Sequence, residues 1–148
     1  MSKEGFKFTS TKINPSLKIV IVASKWNADL VNPMVQSASK HLKELGFKNL
    51  TVNYVPGAWE LVHASQKAIQ EADGVISFGV LIRGETTHYE LISESVAQGL
   101  MKVSIETKKP LAFGLIATEN QAQAEQRTNP KQLDKGKEIA QSLVEMLS

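Results

Sequence analysis

The sequence predicts an α/β domain with a mainly parallel sheet covered by helices on both faces, and three observations carry that expectation. Four short segments read as strands buried within a sheet, the intervals between them carry helical apolar spacing, and the two kinds of segment alternate from Leu17 to Leu147. Alternation of this kind calls for right-handed crossovers, which set helices on both sides of the strands. At 148 residues the chain can bury about two-thirds of the surface its unfolded form exposes, and it is too short for two such units. Residues 1–148 are therefore expected to form one domain.

The first strand is expected at Leu17 to Ala23, a β-branched and nearly continuous apolar run of the sort that is buried on both faces of a parallel sheet. Asn32-Pro33 then offers a cap followed by proline in a first turn, with Met34, Val35, Ala38, Leu42 and Leu45 marking one helical face before Gly46 stops it. Leu50 to Val55 is the second strand, and an amphipathic stretch from Trp59 to about Ala72 the second helix. Gly74 to Ile82 is the third strand. It leads into the longest helix, about His88 to Lys108, whose apolar positions are Leu91, Ile92, Val96, Leu100, Val103 and Ile105. After a fourth strand at Leu111 to Ile116 come two helices, about Asn120 to Arg127 and Lys131 to Leu147. Asn129-Pro130 separates them, because proline lacks the amide donor and clashes with the preceding turn.

Composition narrows the function. The 42% apolar and 22% charged fractions are ordinary for a globular chain, which excludes collagen-like, low-complexity and wholly disordered classes. The absence of cysteine removes disulfides, thiolate metal sites and cysteine nucleophiles, and the three histidines are too widely spaced for a metal motif. A net charge of +2 with scattered basic residues gives nucleic acid no footprint. Ile19 to Ala23, the longest apolar run, is far short of the ~20 residues of a membrane span, and MSKEGFKFTS has no signal-peptide core. A cytoplasmic protein with no membrane partner is expected.

In parallel sheets ligands sit beyond the carboxyl ends of the strands, so Ser24 to Asp29, Pro56 to Glu60, Gly79 to His88 and Ala117 to Asn120 carry the candidate chemistry. Gly84-Glu85-Thr86-Thr87-His88 follows a strand and opens a helix, where amide groups and the helix dipole favour an anion; a bare Thr86 or Thr87 cap is the alternative. His88 there could donate to phosphate or move protons near neutral pH. His41 and His63, within amphipathic helices, read as surface or packing residues. Trp26 and Trp59 stand at strand mouths, either as core packing or as flat surfaces for a heteroaromatic ring. Glu60 either complements a helix dipole or accepts from polyol hydroxyls, and Arg127 is either solvated or an anion clamp. No serine or lysine stands in a nucleophile setting, leaving positioning, phosphate binding and proton transfer.

Four motifs in order, SKWN at Ser24 to Asn27, VPGAWE at Val55 to Glu60, GVLIRGETTHYE at Gly79 to Glu90 and FGLIATENQAQAEQR at Phe113 to Arg127, resemble those of the lumazine synthase family. The resemblance extends from about Leu17 to Leu147. It implies condensation of 5-amino-6-ribitylaminouracil with 3,4-dihydroxy-2-butanone 4-phosphate to 6,7-dimethyl-8-ribityllumazine and phosphate, the penultimate step of riboflavin biosynthesis. Neither metal nor organic cofactor is implied. The fold implied is a flavodoxin-like three-layer sandwich with a four-stranded parallel sheet plus an N-terminal strand, assembled into homopentamers with active sites between subunits.

Carried over by motif, the resemblance implies that Trp26 stacks on the ring and that Asn27, Ala58, Trp59 and Glu60 meet the ribityl chain. Backbone groups of Val80, Leu81 and Ile82 would meet the pyrimidine edge, and Gly84, Glu85 and Thr86 the phosphate. His88 would be the proton-transfer residue, with Phe113 and Arg127 supplied by a neighbouring subunit. A carboxylate aimed at phosphate would repel it, so only the backbone amide of Glu85 is expected to serve. Thr128 to Gly136 lacks the glycine-rich character of shell-forming members, which counts against a shell and leaves a pentamer or multiples of it as the expectation. Competing expectations are a non-catalytic lumazine- or flavin-binding protein, a shell protein of the same fold, or a flavodoxin-like electron carrier. SKWNADLVN lacks the Ser, Thr and Gly density of an electron carrier's phosphate loop.

Overall fold

The computed structural model describes residues 2–9 and 12–148. Its elements, in chain order, are β1 (Ile19–Ser24), α1 (Ala28–Glu44), β2 (Leu50–Val55), α2 (Glu60–Ile69), β3 (Gly74–Ile82), α3 (His88–Thr107), β4 (Leu111–Thr118), α4 (Gln121–Thr128) and α5 (Lys135–Leu147). The four strands form one parallel sheet in the order β2-β1-β3-β4. One apolar layer joins α1, α4 and α5 to the sheet through Val31, Met34, Leu42, Ile76, Phe78, Ala124, Ile139 and Leu143. A second joins α2 and α3 through Leu61, Ile69, Val96, Leu100 and Leu115. The result is the flavodoxin-like three-layer sandwich expected from the motifs.

The strand order places a crossover beside the ligand region. From β1 the chain moves outward to β2 and then crosses back to β3 on the other side of β1, so the carboxyl ends of β1 and β3 part at the point where such sheets open a crevice.

Several expected boundaries shift, each for a local reason. Asn32-Pro33 caps nothing: α1 starts at Ala28, because Asn27 turns into the left-handed region (φ 58°) and its carbonyl already accepts from Leu30 and Val31. Asparagine tolerates that conformation better than most residues. Pro33 thus lies inside the helix, where it withholds one donor from the carbonyl of exposed Asp29. Gly46, with φ 100°, ends α1 as expected. Helix α2 is shorter at both ends than its pattern, and β4 runs on to Thr118. Helix α5 begins at Lys135 rather than Lys131, because Asn129 organises residues 129–134 into a turn. Its carbonyl accepts from Gln132 and Asp134, and its side chain accepts from Lys131.

Two expectations of burial also change. Strand β2 is an edge strand with exposed residues along it, not a strand covered on both faces. On α3 only Val96, Leu100 and Val103 are buried, while Leu91 and Ile105 are 63% and 69% exposed. The implied N-terminal strand is not seen: no fifth strand joins the sheet among the described residues. The described part of that segment lies instead on the α1 and α5 side, with Phe8 edge-on to His41 and the Thr9 amide donating to Glu145.

Helices α1 and α5 pack backbone to backbone at Gly136, where an added Cβ would stand 2.6 Å from the Cα and carbonyl oxygen of Met34. Beside it, the ammonium of buried Lys135 is paired with Glu138 at 3.0 Å, as burial of a charge requires.

Candidate active site

Two backbone bonds carry the β1–β2 ladder beyond the strands: Lys25 N–H donates to Val55 at 2.7 Å and Trp26 N–H to Pro56 at 3.0 Å. They hold the mouth after β1 beside the mouth after β2. Asn27 makes the third connection, its side-chain Nδ2 donating to the carbonyl of Val80 at 2.8 Å across the crevice to β3. The left-handed backbone at Asn27 thus serves two ends, starting α1 and aiming the amide at β3. Its Oδ1 keeps its capacity to accept, and Asn27 is part of the crevice wall.

The three mouths enclose a cavity of about 570 Å³, the size of a small-metabolite site. Its walls include Trp26 and Asn27 after β1, Ala58, Trp59 and Glu60 at the start of α2, Val80, Leu81 and Ile82 at the end of β3, and Gly84, Thr86 and His88 beyond it. Both tryptophans present open faces, Trp26 being 71% and Trp59 61% exposed, so neither is core packing. Glu60 sits in the first turn of α2, where the helix dipole favours its negative charge. Gly57 lies beside it, where a Cβ would stand 3.4 Å from the Glu60 carboxylate.

The turn between β3 and α3 is exposed throughout residues 83–88. Thr87 is the N-cap of α3 and makes no side-chain cap bond, while the Thr86 hydroxyl accepts from the His88 amide at 3.3 Å. The bare-cap alternative therefore survives only in part, at Thr86. Nothing lies within 4 Å of a Cβ placed on Gly84, so the backbone there is open to a close-approaching group.

Three expected residues lie outside the cavity walls. Glu85 is exposed and absent from the lining. Phe113, 43% exposed on β4, lines a separate hollow with Leu100, Met101 and Leu111. Arg127 folds back along α4, its guanidinium donating to the carbonyl of Gln123 at 3.2 Å. Conversely, Gly57, Tyr89 and Ile92 line the cavity without having been singled out from the sequence. Ile92 was within reach of sequence reasoning, since it follows His88 by four residues and shares its helical face.

Of the other histidines, His63 is exposed on α2 and His41 is packed, at 8% exposure, against Phe8. Burial pushes the His41 imidazole below its ordinary value of 6.5, and nearby Lys137 adds to this, with Glu44 and Asp134 opposing. Among the described residues no group of three His, Asp or Glu side chains could hold a metal, and no helix is long and apolar enough to cross a membrane.

Residues 16–148 match the family model described as 6,7-dimethyl-8-ribityllumazine synthase. The chain is 36% identical over 144 residues to the 6,7-dimethyl-8-ribityllumazine synthase of Limosilactobacillus reuteri, covering 96% of this chain and 95% of that protein. It is 40% identical over 138 residues to the enzyme of the same name from Rhodopirellula baltica, covering 90% and 88% respectively. With a family match over most of its length and relatives aligned nearly end to end, the chain belongs to the 6,7-dimethyl-8-ribityllumazine synthase family.

Proposed function

We propose that this chain condenses 5-amino-6-ribitylaminouracil with 3,4-dihydroxy-2-butanone 4-phosphate to give 6,7-dimethyl-8-ribityllumazine, inorganic phosphate and water. The observation that carries this proposal is one cavity in which eleven of the fourteen residues expected from the motifs meet, in a chain of that family.

Within it, Trp26 offers an indole face to the uracil ring, and Asn27 Oδ1, the Ala58–Trp59 backbone and Glu60 offer partners to the ribityl hydroxyls. Val80 to Ile82 present strand-end backbone to the pyrimidine edge. Their neighbour Asn27 already occupies the Val80 carbonyl and the β3–β4 ladder runs through Ile82, which leaves for recognition only the strand-end amides and carbonyls turned away from β4. The turn from Gly84 to Thr86 takes the phosphate on amides at the start of α3, Glu85 contributing its N–H alone.

The amine of one substrate and the ketone of the other form an imine with loss of water, without a covalent bond to the protein. Elimination of phosphate then needs a proton removed from carbon and one delivered to the departing group. His88, at the edge of the phosphate turn, is the residue placed to move them. The enol left by that elimination tautomerises to a methyl ketone, and attack of the ribityl-bearing nitrogen on this new carbonyl closes the second ring with loss of another water. Holding both reactants in register supplies much of the acceleration, which suits a cavity without a nucleophile.

The working form in this proposal is a cytoplasmic homopentamer. Exposed Leu91, Met101 and Ile105 on α3 and Phe113 on β4 are large apolar side chains that a neighbouring subunit would cover. Phe113 and Arg127, which do not line their own chain's cavity, would then complete the cavity of the next subunit. The test is incubation of both substrates with the protein in the presence of chelator. Lumazine absorbance and phosphate should appear in equal amounts and well above the rate of the uncatalysed mixture; a rate equal to that mixture overturns the proposal.

A further inference from the structure

The turn given to phosphate is poorly held by packing. Residues 83–88 are all exposed, Gly84 has open space around it, and the bond from the His88 amide to Thr86 is long at 3.3 Å. An open loop of this kind loses conformational entropy when it orders around an anion, unless something has already fixed it.

Arg83 supplies that fixing. Its backbone N–H donates to the carbonyl of Thr118 at 2.9 Å, one rung beyond the last β3–β4 pair, Ile82 and Thr118. Its guanidinium then spans the turn. Nε bonds Glu119 at 2.8 Å on the β4–α4 connection, Nη1 meets Glu90 in the first turn of α3, and Cζ lies 4.5 Å over the ring of Tyr89. Residues 84–88 are therefore a loop closed at its base by one side chain. Tyr89 itself lines the cavity, so the clasp reaches the cavity wall as well as the turn.

We propose that Arg83 is a positioning residue, which presets the phosphate turn and His88 through Glu119, Glu90 and Tyr89 and does not itself grip the phosphate. Three observations separate this role from direct binding. Ile82 and Gly84 on either side line the cavity and Arg83 does not. Its charge is already met by two carboxylates, which would be left facing a dianion if the guanidinium swung away. The flat fork is used for two separate carboxylates and a stacked ring, a combination that a lysine ammonium cannot reproduce. This inference rests on the phosphate assignment made above for Gly84 to Thr86.

The test uses inorganic phosphate as the binding probe and steady-state kinetics with both substrates. Arg83→Met should weaken phosphate and raise the KM for the butanone phosphate by about tenfold, with a fall in kcat, while the KM for the uracil substrate moves less than about twofold. Arg83→Lys should recover only part of the loss. Hydrogen exchange of the amides of residues 84–89 should quicken in Arg83→Met while β3 and β4 stay protected. Glu119→Ala gives the deciding sign: a positioning role predicts weaker phosphate binding, whereas a guanidinium that grips phosphate directly would be released and bind it more tightly. Tighter binding in Glu119→Ala, or unchanged phosphate affinity and KM in Arg83→Met, overturns the proposal. Wild-type protein that neither binds phosphate nor turns over would overturn the phosphate assignment as well, which distinguishes the two failures.

Discussion

Removing the indole of Trp26 should separate ring recognition from folding. The residue is 71% exposed, so only a minor part of the ~250 Å² that a tryptophan can present is buried by the fold. A stacked heteroaromatic ring would cover one face, ~60 Å², which at ~25 cal/mol per Å² is ~1.5 kcal/mol. Trp26→Ala should therefore weaken the uracil substrate by about tenfold, at 1.4 kcal/mol per decade. Inorganic phosphate does not touch the ring, and its affinity should be unchanged. Titration calorimetry with each compound on wild type and variant measures both arms. Equal losses for both compounds would indicate general damage, and an unchanged uracil affinity would refute the stacking role.

Three further outcomes are expected. His88→Ala should lower kcat by roughly 10²-fold or less, near the low end for a general acid–base group, with both substrates still bound; an unchanged kcat in stopped-flow assays would return His88 to a helix-start role. Neutral His41 is favoured in the fold, so its contribution to stability is complete above pH 6.5 and is lost as pH falls from there through its lowered folded value. Urea titrations should show stability falling with acid over that window, and His41→Phe should flatten the slope. Gly136→Ala would normally favour a helix, yet here a methyl meets the Met34 backbone at 2.6 Å, so overpacking should destabilise by ~1–3 kcal/mol. A melting temperature equal to or above wild type would contradict that close approach.

Much of the fold was legible because buried parallel strands are written as continuous apolar runs; Leu50–Val55 and Gly74–Ile82 fall where that pattern puts them. Edge position is not written in the same way. Leu50–Val55 reads as a buried run and yet lies at the sheet margin, because strand order is set by crossovers between distant segments. Asn32-Pro33 misled for a similar reason. A proline near a cap-forming residue is a local signal, and the left-handed turn at Asn27, held by a bond to Val80 53 residues away, overrides it. Leu91 and Ile105 carry helical apolar spacing but face outward, as they would if that spacing served a surface between subunits. In the candidate site, motif residues adjoining strand ends were found readily. Tyr89 and the Arg83 network were not, since their roles depend on which loops the sheet brings together.

Phe113 and Arg127 stand outside the cavity that holds Trp26 and His88, and in the proposed ring each subunit lends one half-site to each side. The most direct measurement mixes Trp26→Ala with Arg127→Ala chains, unfolds and refolds them together, and confirms mixed assemblies by native mass spectrometry. With random equal mixing, about a quarter of the interfaces regain two intact faces, so activity should rise well above that of either variant refolded alone. Activity equal to the mean of the two parents, in assemblies shown to be mixed, would place the whole site within one chain and contradict the shared cavity.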